Sequence, residues 1–298
     1  MLRHAVRRYP VIAFITLTLG FQLSIVLIAA ALLPPGTHLH ALPKAHMVFR
    51  MRVFGPLLFA IAITAYLEGM PGIRNLFAAF LNWKVPASWY ALAFSWKFIV
   101  TYVGMAAVAL LGLAHWPGFV TEDFFIPLMK NMPFIVGIAI VEETSWMKFA
   151  VTRLQEKYSA FRSCLVVGLC WGCWYLPMLI LGEGVPDGIP WPVFLLSMFS
   201  LTVVLGWVYN ETRSGLVLLV MQIVSNCAFF IVPVLPAWWG GDPTYVVAFV
   251  IAFTVIALLV VWRAGPENLS SRVRATWSGR SPTGRTFPEK RTMLRRAA

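Results

Sequence analysis

Residues 137–155 read GIAIVEETSWMKFAVTRLQ, and two adjacent carboxylates, Glu142 and Glu143, stand near the middle of an otherwise apolar, span-length segment. A charged side chain at the centre of a bilayer costs about 2.5–3.5 kcal/mol on insertion scales. Two together require a bundle interior with partners from other helices, not a lipid-facing position. A helix starting at Pro133 rises about 1.5 Å per residue, which sets Glu142 about 15 Å along it, mid-depth in a ~30 Å hydrocarbon core.

The rest of the chain supplies such a bundle. Its 298 residues are 59% hydrophobic and 12% charged, with a mean hydropathy of +0.77. Soluble domains carry about 25% charged residues, so the composition is that of a membrane protein. The formal charge of +12 raises the question of nucleic acid, and its distribution answers it. Nine of the 24 Lys and Arg lie from Arg263 onward, and most others sit between apolar runs. That is the positive-inside pattern, with a basic tail suited to anionic lipid; the expected partner is the bilayer, and no nucleic acid is expected. Cys164, Cys170, Cys173 and Cys227 all fall in apolar helices, where they read as small packing residues. Cys170-Trp-Gly-Cys173 has redox-motif spacing but lacks the strand context that such chemistry uses.

Taken in order, the basic N-terminus and residues 10–33 read as a retained first helix entered from the cytoplasm. Residues 34–52 form a polar, Pro-rich loop whose His38, His40 and His46 read as loop histidines and not as metal ligands. A second span, 53–70, ends at Glu68-Gly69. Residues 73–84 space Ile73, Leu76, Phe77, Phe80 and Leu81 at helical intervals, as in a helix lying in the interface. Further spans are expected at 88–113, 133–155, 163–182, 191–209, 215–236 and 245–262. The fold class is all-α: a polytopic bundle of about eight transmembrane helices plus one interfacial amphipathic helix. It divides into a membrane domain, 1–263, with its motif core at 133–230, and a basic, disordered cytoplasmic tail, 264–298. In this topology eighteen Lys and Arg lie on the side of the termini and four (Lys44, Arg50, Arg52, Lys130) on the other. The expected home is a bacterial plasma membrane with both termini cytoplasmic.

Polar side chains able to reach the depth of the glutamates are Tyr175 in CWGCWYLPM, and Gln222 and Asn226 in LVMQIVSN. The latter two are four apart and share a helix face. Lys97 in the third span reads equally as a counter-charge to the glutamates or as a side chain snorkelling to the headgroups. The layer of two acids, a phenol and two amides is consistent with a self-satisfied structural network, since buried polar groups need partners.

The order and spacing also resemble the CPBP intramembrane proteases, the CAAX prenyl endopeptidase and bacteriocin-processing (Abi) superfamily. EETSWMKFAVTRLQ is similar to the family's first motif, Glu-Glu-x-x-x-Arg. SCLVVGLCWGCWYLP is similar to its second, an aromatic-x-x-x-His helix, with Trp171 in the aromatic place. NETRSGLVLLVMQIVSN is similar to its third, His-x-x-x-Asn, ending in Asn226. GIRNLFAAFLNWKVPASWY resembles the family's interfacial helix. The resemblance implies a membrane helical fold and a site at Glu142, Glu143, Tyr175, Gln222 and Asn226. In the family the first glutamate and one histidine activate water, while the other histidine and the asparagine bind the oxyanion.

The departures bear on activity. The arginine position holds Met147, the first histidine position Tyr175 and the second Gln222, and His115 is the last histidine in the chain. Losing both imidazoles removes the groups that exchange a proton near neutral pH. Two carboxylates without histidine make a poor zinc site, so neither metal nor other cofactor is expected. The favoured expectation is a protease homologue without peptidase activity, acting on a membrane-protein or peptide partner as a binding or regulatory module. The alternatives are an active glutamate-dependent endopeptidase, with Glu142 as base and Tyr175, Gln222 and Asn226 as oxyanion donors, and a transporter using the buried charges as a relay.

Overall fold

The computed structural model describes residues 6–280, and eight of its helices are long and apolar enough to cross a membrane. In chain order they are α1 (Pro10–Ala31), α3 (Gly55–Ala78), α4 (Ala87–Leu110), α5 (Phe125–Glu142, with its continuation to Leu154), α6 (Ala160–Tyr175), α7 (Trp191–Thr212), α8 (Gly215–Ile231) and α9 (Thr244–Ala264). A short α2 (Pro43–Met51) precedes α3. Large apolar side chains such as Leu58, Leu110, Leu258 and Trp262 are exposed on the outer faces, as lipid-facing helices require. The chain is thus an integral membrane helical bundle.

Close approach sets the pairing. α6 lies along α7, and α9 along both α4 and α7. A Cβ on Gly168 would come within 2.7 Å of the Thr202 hydroxyl, and one on Gly104 within 2.9 Å of the Ala248 backbone. Small residues at these crossings let helices dock backbone to backbone, which drives association where lipid removes the hydrophobic term. α5 is held between α8 and the first helices, and Phe14 of α1 packs its ring 5.2 Å from Trp146 and 5.1 Å from Phe149.

Two local features bear on the expected spans, one differing from them and one agreeing. The loop at 34–52 contains α2, started by Pro43 at its first turn and buried through Ala45 and Phe49, one helical turn apart. The break after the second span falls at Gly69, as expected from Glu68-Gly69. Its φ of 64° and ψ of −151° belong to a region open essentially to glycine alone, and the chain turns there from span to interfacial segment.

A second difference is at the C-terminal end. Residues 265–280, expected to be unpacked tail, fold back over the bundle as a strap. Asn210 of α7 donates to the Asn268 carbonyl at 2.8 Å and accepts from the Ala275 amide at 2.8 Å. The Trp277 indole donates to both Glu68 oxygens at 2.9 Å, and its amide donates to the Thr152 carbonyl at 3.1 Å. The remainder of the tail, 281–298, and residues 1–5 lie outside the described residues.

Candidate functional site

Past Glu142 the backbone of α5 changes register. Residues Glu143–Val151 wind as a π-helix, and every one of them is buried. Insertions of this kind are rare and concentrate at functional sites, because they re-aim side chains that an α-helix would space 100° apart. Here the rewinding occurs within the motif-like stretch itself. Thr144 donates to the Ile140 carbonyl at 2.6 Å and Thr152 to the Lys148 carbonyl at 2.5 Å, so hydroxyls supplement the backbone at both ends.

Around the Glu142 carboxylate, α8 supplies the direct contact: Gln222 Nε2 donates to Glu142 Oε2 at 2.7 Å. Tyr175, where α6 ends, and Trp171, one turn earlier, face the same carboxylate. Aromatic packing fixes their positions. Trp146 stacks on Trp171 with ring centroids 5.7 Å apart and 12° between planes. Tyr175 sits edge-on to Trp174 at 5.2 Å and to Phe194 of α7 at 5.0 Å. The structure therefore brings Glu142, Tyr175 and Gln222 together. Glu143 is 1% exposed beside them, and neither of its oxygens accepts a hydrogen bond from the protein. Asn226 lies one turn from Gln222 on α8, partly exposed, and no hydrogen bond ties it to the Glu142 group.

Arg52 escaped the sequence reading. It was assigned to a polar outer loop, but it stands between α2 and α3 and points inward, its guanidinium 4.1 Å from the Phe49 ring and 5.3 Å from that of Trp174. It is the cation that faces Glu142 and Tyr175, and its Nε is buried without a protein acceptor. The signal that could have found it is an arginine immediately preceding an apolar run, on the side poorest in basic residues. Lys97, by contrast, neither pairs with the glutamates nor snorkels. It is 4% exposed, with its ammonium 4.0 Å from the Phe249 ring and 4.1 Å from that of Phe229. Cation–π attraction replaces a counter-ion there.

Several other polar groups at this depth have no protein partner: the Ser145 hydroxyl, the indole N–H groups of Trp146 and Trp174, and the Gln222 carbonyl. Buried polar atoms are paired in the great majority of cases, so such a concentration marks a place where polar matter from outside the fold would be stabilised. Chemically, the layer offers a carboxylate acceptor, a second acid, and donors from an amide, a phenol, a guanidinium and indoles. It holds no imidazole. His115 lies against Trp239 and Tyr245, and His40 pairs with Glu183 at 2.9 Å. Among the described residues no three His, Cys, Asp or Glu gather as a metal site would require.

Comparison with known proteins bears on the same stretch. Residues 124–228 match the family model described as Type II CAAX prenyl endopeptidase Rce1-like. A CAAX prenyl protease 2 of Methanococcus maripaludis is 24% identical over 113 residues, covering 35% of this chain and 40% of that protein. The chain thus matches about two fifths of that relative's length. The matched region runs from the start of α5 to the end of the Gln222–Asn226 turn on α8, and so contains Glu142, Glu143, Tyr175, Gln222 and Asn226.

Proposed function

For a chain that is a CAAX protease-like integral membrane protein, we propose a binding or regulatory role in which the Glu142 cavity holds a polar segment of a membrane protein or peptide without cutting it. The observation that carries this reading is the 2.7 Å contact from Gln222 Nε2 to Glu142. Gln222 stands where the resemblance implies a histidine, and it keeps the hydrogen bond while being unable to take or give a proton near neutral pH. Tyr175 repeats the substitution on α6. With both sites altered, water activation falls on Glu142 alone, and that carboxylate is already engaged by an amide and faced by Arg52.

A second reading rests on Arg52. A guanidinium, a phenol and an amide converging beside a carboxylate are a set of donors able to stabilise an oxyanion, and such donors contribute 10²–10³-fold to acyl transfer. In that reading Glu142 is the base and Arg52 supplies charge that no other cation near the layer offers. The localisation we propose is a bacterial plasma membrane, with the strap and both termini at the cytoplasmic face, because the basic residues concentrate there.

The experiment compares new protein N- and C-termini in native membranes of a deletion strain, of that strain restored with wild type, and of the strain restored with Glu142→Gln. The binding role predicts no termini that depend on Glu142. Termini that appear with wild type and vanish with Glu142→Gln overturn it in favour of hydrolysis, and their loss on Arg52→Gln would then assign the oxyanion role.

A further inference from the structure

At the opposite end of α5 from Arg52 the strap closes over a cavity of about 1360 Å³ that the Glu142 site does not use. Its walls come from the N-terminal segment, the kinked end of α3, the π-helical part of α5, the end of α7 and the strap. The charged side chains that line it are strongly unbalanced: Arg7, Lys148, Arg213, Arg272, Arg274 and Arg280 against Glu68. Glu68 is already saturated by Arg153 at 2.5 Å and by the Trp277 indole. Arg274 is likewise committed, to Glu267 and to the Gln155 carbonyl. The other five cations have no carboxylate within ion-pair distance among the described residues.

Two of these five are not surface charges. Lys148 is 8% exposed, and its ammonium has only neutral partners, the Asn75 side-chain oxygen at 3.2 Å and the Trp277 ring at 5.2 Å. Arg213 sits at the end of α7 with φ of 58°, where its backbone turns the chain into α8. One of its terminal nitrogens donates to the Val273 carbonyl of the strap, and the other is buried with no acceptor. Burial, together with the like charge of Arg272, holds the Arg213 guanidinium below its ordinary range. Like charges gathered in a partly enclosed space repel, and a buried guanidinium with one nitrogen unpaired and no counter-ion is under-compensated. An anion entering the cavity would relieve both. A second recess of about 410 Å³ shares Asn82, Arg213 and Arg272 with it and adds Lys84 and one carboxylate, Glu211.

We propose that this cavity binds a phosphate-bearing anion, gripped by Lys148 and Arg213 from the bundle and by Arg272 from the strap. Phosphate suits the donor set because arginine engages it bidentately and lysine as a point charge. The volume exceeds what an inorganic ion fills and suits a substituted phosphate. Because Arg272 comes from the strap and Lys148 from α5, the bound anion cross-links the two and tightens the strap. The chemistry is shared by an anionic phospholipid headgroup, which basic residues near the ends of membrane-spanning helices favour, and by a soluble phosphate compound.

The test uses the whole protein in detergent, with retention of phosphatidylglycerol against phosphatidylcholine read by native mass spectrometry. Thermal unfolding with added inorganic pyrophosphate forms the second arm. Wild type should retain phosphatidylglycerol preferentially, or be stabilised by pyrophosphate. The Arg213→Gln/Arg272→Gln variant should weaken the effect by about tenfold or more. Arg272→Gln alone, at an exposed position, repeats the test without disturbing the buried turn, and Lys44→Gln/Lys130→Gln on the other face should change nothing. Lipid retention without a pyrophosphate response identifies a headgroup; a pyrophosphate response that displaces lipid identifies a soluble anion. The proposal is overturned if wild type responds to neither probe, if the arginine variants respond as wild type does, or if the far-face control loses as much.

Discussion

The strap's anchoring contacts and the Glu142 layer both involve buried polar groups, and they differ in how these are paired: the anchors find protein partners, while beside them Arg153 Nε, the Gln155 amide nitrogen and one Arg213 nitrogen do not. Under the strap, Asn210 uses its amide nitrogen for Gln155 at 2.9 Å and for Asn268, and its oxygen for Ala275. Asn75 donates to the Trp277 carbonyl at 3.0 Å, and Glu156 accepts from the Ser278 amide at 3.0 Å. In the Glu142 layer the 2.7 Å contact with Gln222 stands beside Glu143, Ser145, Trp146 and Trp174, whose polar atoms find nothing in the protein. A satisfied network specifies one structure; an unsatisfied one costs stability and is retained where something else gains from it. The strap's anchors are architecture, whereas the glutamate layer and the basic cavity beneath the strap keep unpaired groups, as sites do.

The contrast is broken most severely at Trp277. Its ring is 6% exposed, packs edge-on to Phe149 at 5.9 Å, and lies 3.9 Å beneath the Arg153 guanidinium, while its indole saturates Glu68. Trp277→Ala should cost about 3–5 kcal/mol, the usual penalty for emptying a buried aromatic position. Thermal unfolding in detergent should show a midpoint lower by several degrees; an unchanged midpoint would mean that the strap is not part of the cooperative unit. Asn210→Ala comes next. It strands the Ala275 amide and the Gln155 oxygen in one step, so about 1–3 kcal/mol is expected by the same measurement.

The sequence carried one of these regions and not the other, for a physical reason. The bundle is legible because lipid forces every span into a long apolar run, and the misplaced carboxylates, phenol and amide at Glu142, Tyr175 and Gln222 stand out against it. The strap has no periodicity to read. Residues 265–280 bury themselves through isolated anchors such as Leu269, Arg274 and Trp277, laid over polar helix ends, and such segments resemble any basic tail. Arg52 was missed for a related reason: its loop composition concealed that α2 turns it inward over Phe49. The π-helical winding from Glu143 to Val151 was invisible, since spacing alone cannot show where the helical period changes.

Substitutions within the layer should have the smallest effects, and their order tests the reading of the site. Glu142→Gln keeps the size and leaves a carbonyl to accept from Gln222, but it removes the acidic group that faces Arg52. A loss of about 1 kcal/mol is expected, the worth of one ordinary hydrogen-bonded partner. Glu143→Gln removes nothing comparable, because neither oxygen of Glu143 is held by a protein donor and no cation faces it. Replacing a buried acid that lacks partners by a neutral isostere relieves desolvation, so this variant should unfold at the same temperature as wild type or above it. If instead Glu143→Gln destabilises as much as Asn210→Ala, the layer is a structural network like the strap. Two acids side by side would then be explained by folding alone, and the case for a ligand at Glu142 would lose its physical basis.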